Sequence, residues 1–145
     1  MAQLDNKIQV AIYSPNGLVY DHKSLGCNMQ TDDGGLSILP NHVPIMLSLA
    51  IGAVIVTRTD GAKDYIAVDG GVASFEENKL TIMATFAIRA RDIDTVQVEI
   101  DKQNAQAAMY DAEQKDDSSA YRRAKVQLNR AINQIDVSRH RRPKN

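Results

Sequence analysis

A change in residue usage near Arg91 divides this chain into two parts of different structural type. Beyond that point glycine is absent, alanine becomes frequent, and the only proline is Pro143. Alanine favours the interior of a helix, whereas glycine and proline disfavour it. The chain of 145 residues is long enough to bury a core, and we expect a helical unit to follow a unit of another kind.

The segment from Lys7 to about Ala84 has the pattern of short β-strands. Ile8, Val10 and Ile12 alternate with other residues, as they do on a half-buried strand. Turn residues then interrupt the apolar runs at short intervals, at Ser14–Gly17, Asp32–Gly35, Thr59–Gly61, Asp69–Gly71 and Glu76–Lys79. Many short strands at this spacing predict a β-sandwich, a flattened barrel of about ten strands.

The remaining part of the chain predicts two antiparallel helices. The first is expected from about Ile93 to Glu113, with a face formed by Ile93, Val96, Ile100, Ala107 and Ala108. The second is expected from about Ser119 to Val137, with a stripe formed by Tyr121, Ala124, Leu128, Ala131, Ile132 and Ile135. Ser118 or Ser119 can cap the second helix. The predicted class is α+β, with a sandwich at 1–87 and a two-helix hairpin with a basic tail at 88–145.

Charge separates the two predicted helices. Between Ile93 and Asp117 seven acidic residues face two lysines, whereas between Ser118 and Asn145 eight basic residues accompany only Asp136. Exposed ion pairs contribute about 0 to 1 kcal/mol each, and an alanine-rich seam buries little apolar surface. The hairpin is therefore predicted to be detachable. A permanently folded hairpin with solvated charges is the alternative.

Composition argues against several other functions. The formal net charge of −1 gives no general attraction to nucleic acid or to an anionic membrane. The single cysteine and the polar start predict a cytoplasmic protein, and no apolar run reaches the roughly 20 residues that a membrane span needs. His42 could act as a general base in principle, but the favoured interpretation is a loop or interface histidine, so no catalytic residue is assigned.

Metal and phosphate motifs are also absent from the sequence. No spacing typical of a metal site occurs, and the paired glycines lack the lysine and hydroxyl residue of a P-loop. A basic end at Arg139–Lys144 could contact phosphates. The one aromatic residue of the basic region, Tyr121, falls on the buried stripe, so a base-stacking platform is missing. We expect no nucleic-acid partner, and a solvated end is the simpler interpretation.

Several blocks of the sequence resemble the epsilon-subunit family of bacterial F-type ATP synthases. The most specific is Gly34–Met46, with its glycine, leucine, isoleucine, proline, histidine and proline pattern. The others follow in family order, at Asp64–Phe75, Leu80–Met83, Ala87–Asp94, Tyr121–Ala124 and Leu128–Ile135. The resemblance extends from about Ile8 to Val137. It implies a non-catalytic rotor subunit of the H⁺-translocating ATP synthase, peripheral at the cytoplasmic face of the cell membrane without direct insertion.

The resemblance also implies partners and the residues that meet them. The sandwich of this family binds the gamma subunit and the ring of c subunits, and the candidates for ring contact are Asp32, Asp33, Gly34, Gly35 and His42. The hairpin of the family can extend along gamma and inhibit ATP hydrolysis at the alpha/beta catalytic head. The candidates for those basic contacts are Arg122, Arg123, Lys125 and Arg130.

Some relatives bind ATP in the folded hairpin, chiefly through arginines. Gln97, Asn104 and Gln134 stand where those relatives carry arginine, and only Asp94 and Arg130 remain of the set. Each lost charge-assisted donor removes about 1.5 to 3 kcal/mol. We expect ATP binding to be very weak or absent, and no cofactor.

Overall fold

The computed structural model describes residues 6–141, and it has the two predicted units, a β-sandwich followed by a helical hairpin. Arg142, Pro143 and Lys144 of the basic end lie outside the described residues. In chain order the elements are β1 (Ile8–Ser14), β2 (Gly17–Thr31), β3 (Gly34–Ile38), β4 (Ile45–Arg58), β5 (Lys63–Glu76), β6 (Lys79–Ala84), β7 (Ala87–Arg89), a 3₁₀ turn (Ala90–Asp92), α1 (Thr95–Gln114) and α2 (Ser118–Ser138).

The sheet has seven strands in the described part of the chain, so the expectation of about ten strands is corrected. Three strands, β2, β4 and β5, are 14 or 15 residues long. Two of them change partner along their length, β2 from β1 to β3 and β5 from β7 to β6, so a count of short apolar runs gives more strands than the structure has. The strand order is β1-β6-β5-β4-β2-β3, with β7 paired to β5 beside this path. An additional pairing of β1 with β2 closes the sheet into a flattened barrel.

The predicted turn at Asp69–Gly71 is wrong, because these residues lie inside β5. Gly71 has φ 144°, and a Cβ atom there would lie 2.3 Å from the Met83 carbonyl oxygen of the neighbouring strand. Glycine is therefore required by the close approach of β6 rather than by a turn. Asp69, two positions before Gly71 on the same strand, lies beside the hairpin.

Two apolar clusters hold the molecule together. The larger lies between the layers of the sandwich, where Tyr20, Phe75, Ile12, Val56 and Ile82 are almost completely buried. The smaller lies between the sandwich and the hairpin, and its buried members are Ala67, Ala90, Ile93, Val98 and Val137. The smaller cluster contains fewer and smaller side chains, so it contributes less burial free energy than the core of the sandwich.

The helices pack through a seam of small residues, as predicted, but α1 uses a different face. Its buried residues are Val98, Ala105 and Ala112, which face Ala124 and Ala131 of α2. Three of these residues are spaced by seven, as in an antiparallel pair with a narrow seam. The small side chains let the two backbones approach closely.

The face predicted for α1 is therefore corrected. Ile93 is buried, but it precedes the helix, and the other predicted members are exposed to solvent: Val96, Ile100, Ala107 and Ala108. Large apolar side chains are excluded from a seam that alanines on both helices hold narrow. An apolar stripe consequently runs along the outer side of α1.

Aspartates cap both helices, and Asp117 rather than the predicted Ser118 or Ser119 caps α2. Asp94 accepts a hydrogen bond from the backbone N–H of Gln97 at 3.1 Å, and Asp117 accepts one from Ala120 at 3.0 Å. Each carboxylate satisfies a free N–H group in the first turn and is favoured there by the helix dipole.

Candidate interaction surfaces

The first candidate surface is the turn between β2 and β3. Asp32 and Asp33 occupy its tip and are exposed. Thr31 fixes the turn, because its Oγ1 donates to the Gly34 carbonyl at 2.8 Å and accepts from the Asp33 N–H at 3.1 Å. Gly34 has φ 118°, which favours glycine. The turn presents two carboxylates on a rigid support.

His42 lies apart from that turn. It follows the far end of β3, which at about 3.3 Å per residue is about 16 Å long. Its Nδ1 donates to the Val43 carbonyl at 2.8 Å, and its ring meets the edge of Phe75 at 6.1 Å. The structure brings Asp32, Asp33, Gly34 and Gly35 together but does not bring His42 to them.

An apolar row crosses the outer side of the sheet. Leu18 pairs with Tyr13, Tyr13 with Met83, and Met83 with Val72, so these side chains are neighbours on one side of four adjacent strands. Met46 on β4 is also exposed, with 74% of its surface accessible. Contiguous exposed apolar surface of this kind is typical of a protein interface. We call Tyr13, Leu18, Met46, Val72 and Met83 the apolar row.

The predicted basic contacts divide into two groups. Arg122, Arg123 and Lys125 are exposed on α2, and Arg123 donates to Ser119 Oγ on its own helix at 2.7 Å. Arg130 instead reaches the sandwich. Among residues 6–141, no ion pair joins α1 to α2, and the pairs of the hairpin are local ones within each helix. The charge difference between the helices therefore acts at longer range, where salt screens it.

Polar contacts attach α2 to the sandwich. Nε of Arg130 lies 3.5 Å from Oδ2 of Asp69, whose side chain is 7% exposed. Asn133 Nδ2 donates to the Gly52 carbonyl at 2.9 Å. Sequence reasoning assigned neither Asp69 nor Asn133 to this interface. The sequence did contain a signal for Asp69. An aspartate within an apolar strand indicates a carboxylate that is buried and paired with another group.

Burial controls the ionisation of Asp69. Desolvation raises the pKa of this carboxyl group above its ordinary value, and the Arg130 guanidinium opposes that rise. Within the described chain, Asp69 Oδ1 and Arg130 Nε are buried and have no hydrogen-bond partner. The two side chains therefore form an ion pair with poor hydrogen bonding, which stabilises docking less than a bidentate contact would.

A cavity of about 390 Å³ lies where the helices meet the sandwich. Asn104 and Gln134, which stand where ATP-binding relatives carry arginine, line it together with Arg130. Asp69 and Asp101 add two carboxylates. Asp94, the other remnant of the nucleotide set, caps α1 instead. Among the described residues that line the cavity, the one guanidinium, that of Arg130, faces the Asp69 carboxylate.

The residues after α2 return to the sandwich. The ring of His140 stacks on Tyr65, with centroids 3.9 Å apart and planes 9° apart. Arg141 Nε donates to the Ala90 carbonyl at 3.1 Å, and its second nitrogen donates to the Ile93 carbonyl. The described part of the basic end is thus engaged within the molecule.

The described residues give little support for metal binding, thiol chemistry or a membrane-spanning helix. They contain no group of three or more histidine, cysteine or acidic side chains placed to hold a metal ion. Burial raises the pKa of the Cys27 thiol to about 12, so the thiolate form is scarce at neutral pH. No helix in residues 6–141 has the length and apolar character needed to cross a bilayer.

Fold and surfaces together define a two-unit binding subunit, a β-sandwich that carries a helical hairpin. Residues 7–90 match the family model of the ATP synthase delta/epsilon chain β-sandwich domain, and residues 91–139 match that of the delta/epsilon chain long α-helix domain. The chain belongs to the ATP synthase delta/epsilon family, as an epsilon chain of the bacterial type. It is a non-catalytic subunit.

Relatives of high similarity come from lactic acid bacteria. The ATP synthase epsilon chain of Lactobacillus delbrueckii is 41% identical over 140 residues, covering 94% of this chain and 96% of the relative. That of Pediococcus pentosaceus is 43% identical over 134 residues, covering 92% and 96%. The resemblance to epsilon chains expected from the sequence is thereby confirmed.

Two solved structures share the fold. A chain in the Euglena gracilis mitochondrial ATP synthase structure of OSCP, F1 and c-ring superposes with a TM-score of 0.75 at 18% identity, covering 88% of this chain and 79% of that one. A chain in the Tetrahymena thermophila mitochondrial ATP synthase structure of central stalk and c-ring superposes at 0.55 with 16% identity, covering 91% and 99%. At these identities the likeness concerns the fold.

Proposed function

We propose that this epsilon chain is a rotor subunit of the central stalk that joins gamma to the c-ring and restrains ATP hydrolysis through a movable hairpin. Family membership and the described surfaces support the first part. The Euglena and Tetrahymena structures with a similar fold both contain the c-ring, which agrees with it. The mechanical part rests on how the hairpin is attached.

The sandwich offers two separate surfaces for two rotor partners. The apolar row suits the gamma subunit, because a permanent contact inside an assembly favours exposed apolar side chains such as Met46 and Met83. The acidic turn at Asp32 and Asp33 suits the c-ring, because its exposed carboxylates can meet polar or basic loops. His42 is near neither carboxylate and falls outside this second surface.

The observation that carries the inhibitory role is that the hairpin docks mainly through α2. That helix contacts β4, β5 and the 3₁₀ turn, whereas α1 packs chiefly on α2. The interface contains the small apolar cluster, one ion pair and a few hydrogen bonds. Such an interface can open while the core of the sandwich stays intact.

Opening of the hairpin would also allow surfaces that face solvent in the docked state to bind other subunits. The outer stripe of α1, which includes Val96 and Ile100, and the exposed bases Arg122, Arg123 and Lys125 all face solvent. In an extended hairpin, the stripe can pack on the gamma subunit and the bases can reach acidic segments of the alpha/beta head. The docked and extended states then differ by a small free energy that a ligand or the proton-motive force can shift.

We do not expect nucleotide binding to shift the equilibrium between the docked and extended states. Among residues 6–141, the lining of the cavity between helices and sandwich has one cationic side chain, Arg130, and it faces Asp69. We propose that ATP binds very weakly or not at all, and that no cofactor is required. Calorimetry with MgATP on the isolated chain tests this point, and a micromolar dissociation constant would contradict it.

The proposed site of action is the cytoplasmic face of the cell membrane, where the ring holds the subunit peripherally. The decisive test of inhibition compares ATP hydrolysis by complexes assembled with the full chain and with a chain stopped after Ala90. We expect truncation to raise hydrolysis while gamma and the ring are still bound. Unchanged hydrolysis in a fully assembled complex would contradict the inhibitory role.

A further inference from the structure

The end of α2 binds the segment that joins the hairpin to the sandwich. Ala90–Asp92 and Ile93 connect β7 to α1, so any swing of the hairpin away from the sandwich requires rotation in this linker. Arg141 donates from one guanidinium to the carbonyls of both Ala90 and Ile93, at the two ends of the 3₁₀ turn. The neighbouring His140 stacks on Tyr65 of the sandwich.

We propose that His140 and Arg141 form a clasp that holds the hairpin docked. His140 binds the sandwich, and Arg141 binds the linker about which the hairpin would rotate. The carbonyl groups of the linker bind a guanidinium that belongs to the same chain. Both contacts are expected to break when α2 leaves, because Tyr65 lies on β5 and Ala90 directly follows β7. The clasp adds to the ion pair of Arg130, and it lies at the opposite end of the interface from the helical loop.

The chemistry of Arg141 suits this role. A guanidinium presents several N–H donors in a fixed planar fork, so it can serve two carbonyl oxygens at once. The lysine ammonium is a compact charge without that geometry. A backbone carbonyl also has capacity for a second bond, and that of Ala90 accepts from Ile93 N–H at 3.3 Å as well. Arg141 therefore fixes the hinge in its docked shape.

The clasp gives the basic residues of α2 and those that follow it opposite effects on inhibition. Arg122, Arg123 and Lys125 favour the extended state in the proposed function, whereas Arg141 favours the docked state. Removing Arg141 should strengthen inhibition, although it removes a positive charge. This consequence rests on the proposed movement of the hairpin.

The test uses the isolated full chain and a matched pair of variants, Arg141→Gln and Arg139→Gln. Both remove one guanidinium from an exposed residue. Among the described residues Arg139 pairs with the nearby Asp136 of α2, whereas Arg141 binds the linker. Amide hydrogen exchange in α2 measures the equilibrium constant for opening of the hairpin. We expect Arg141→Gln to raise it roughly tenfold, the scale of one charge-assisted hydrogen bond, and Arg139→Gln to leave it near that of the wild type.

Two further variants test the two contacts of the clasp separately. Arg141→Lys keeps the positive charge but loses the planar fork, and it should still increase opening of the hairpin. His140→Ala should also increase opening, because it removes the stack on Tyr65. Equal exchange in the Arg141→Gln and Arg139→Gln variants would overturn the clasp while leaving the hairpin movement intact. Exchange of α2 only through global unfolding in every variant would overturn the movement itself, and the clasp with it.

In the assembled complex, Arg141→Gln should lower ATP hydrolysis, and higher hydrolysis would contradict the clasp.

Discussion

Asp69 on β5 and Arg130 on α2 form the one ion pair between sandwich and hairpin in the described chain, with Oδ2 3.5 Å from Nε. The two partners differ in burial, because the Asp69 side chain is 7% exposed and that of Arg130 is 34% exposed. Loss of the guanidinium would leave the buried carboxylate uncompensated, which costs more than loss of an exposed pair. The pair is therefore an attachment point whose two halves should respond differently to substitution.

Arg130→Gln should loosen the docked hairpin by about 1–2 kcal/mol, a value between those of exposed and buried pairs. Adding Asp69→Asn to this variant should recover part of the loss, because it removes the uncompensated charge. Hydrogen exchange in α2 measures both effects through a double-mutant cycle. An additive cycle would show that the two side chains do not interact.

Docking should tighten as the pH falls. Burial raises the pKa of Asp69 in the docked state above its ordinary 3.8, whereas opening exposes the group to water. Proton binding thus favours the docked state. This contribution is complete below the ordinary pKa and is lost as the pH rises through the raised one. Exchange rates in α2 measured from pH 4 upward, with Asp69→Asn as the control, test the trend. An equal pH dependence in wild type and variant would contradict it.

The paired substitutions Val96→Ser and Ile100→Ser should weaken inhibition without loosening the docked hairpin. Val96 is 71% exposed and lies outside the helical seam, so its loss removes little buried surface from the docked state. The extended state, in contrast, would lose an apolar contact worth about 1–2 kcal/mol. Hydrolysis by the assembled complex should rise severalfold while hydrogen exchange in α2 is unchanged. A rise in α2 exchange would instead place the stripe in docking.

Met46→Glu should weaken association with the gamma subunit at least tenfold, because a carboxylate would have to be desolvated within an apolar contact. Since Met46 is largely exposed, the free energy of unfolding should change by less than about 0.5 kcal/mol. Leu25→Glu makes the same kind of change on an exposed leucine outside the apolar row. Titration of gamma with each variant tests the surface, and equal affinities would contradict it.

Tyr20→Phe should destabilise the sandwich and spare the hairpin interface. Tyr20 donates to Oδ2 of the buried Asp64 at 2.6 Å, so the change removes a hydrogen bond to a charged group worth about 1.5–3 kcal/mol. Denaturant unfolding should show that loss, while the opening of the hairpin stays as in the wild type. A matching increase in hairpin opening would indicate that the two units are not independent.

Local patterns predicted the element types well, because helix and strand periodicity and turn residues act over a few positions. The loss of glycine after Arg91 located the change from strands to helices, and the alanine seam of the hairpin was also anticipated. Long-range geometry was not accessible in this way. Gly70 and Gly71 looked like a turn, although they lie within β5, where both have positive φ and Gly71 allows the close approach of β6.

The interface between the units was the part that sequence reasoning missed. Two apolar stripes occur on α1, and periodicity alone favoured the one with larger residues, Val96 and Ile100. The smaller stripe forms the seam because alanines on α2 face it. The contacts of Asp69 and Arg141 join residues 48 or more positions apart in sequence. Local sequence patterns do not show which polar groups meet over such separations.

Native-state hydrogen exchange of the isolated wild-type chain tests most directly whether the hairpin detaches as a unit. We predict that amides of α1 and α2 exchange through a shared opening of clearly lower free energy than that of the core strands, and with weak dependence on denaturant. Equal opening free energies for Ala131 and for core residues such as Val56 would contradict a movable hairpin on a stable sandwich.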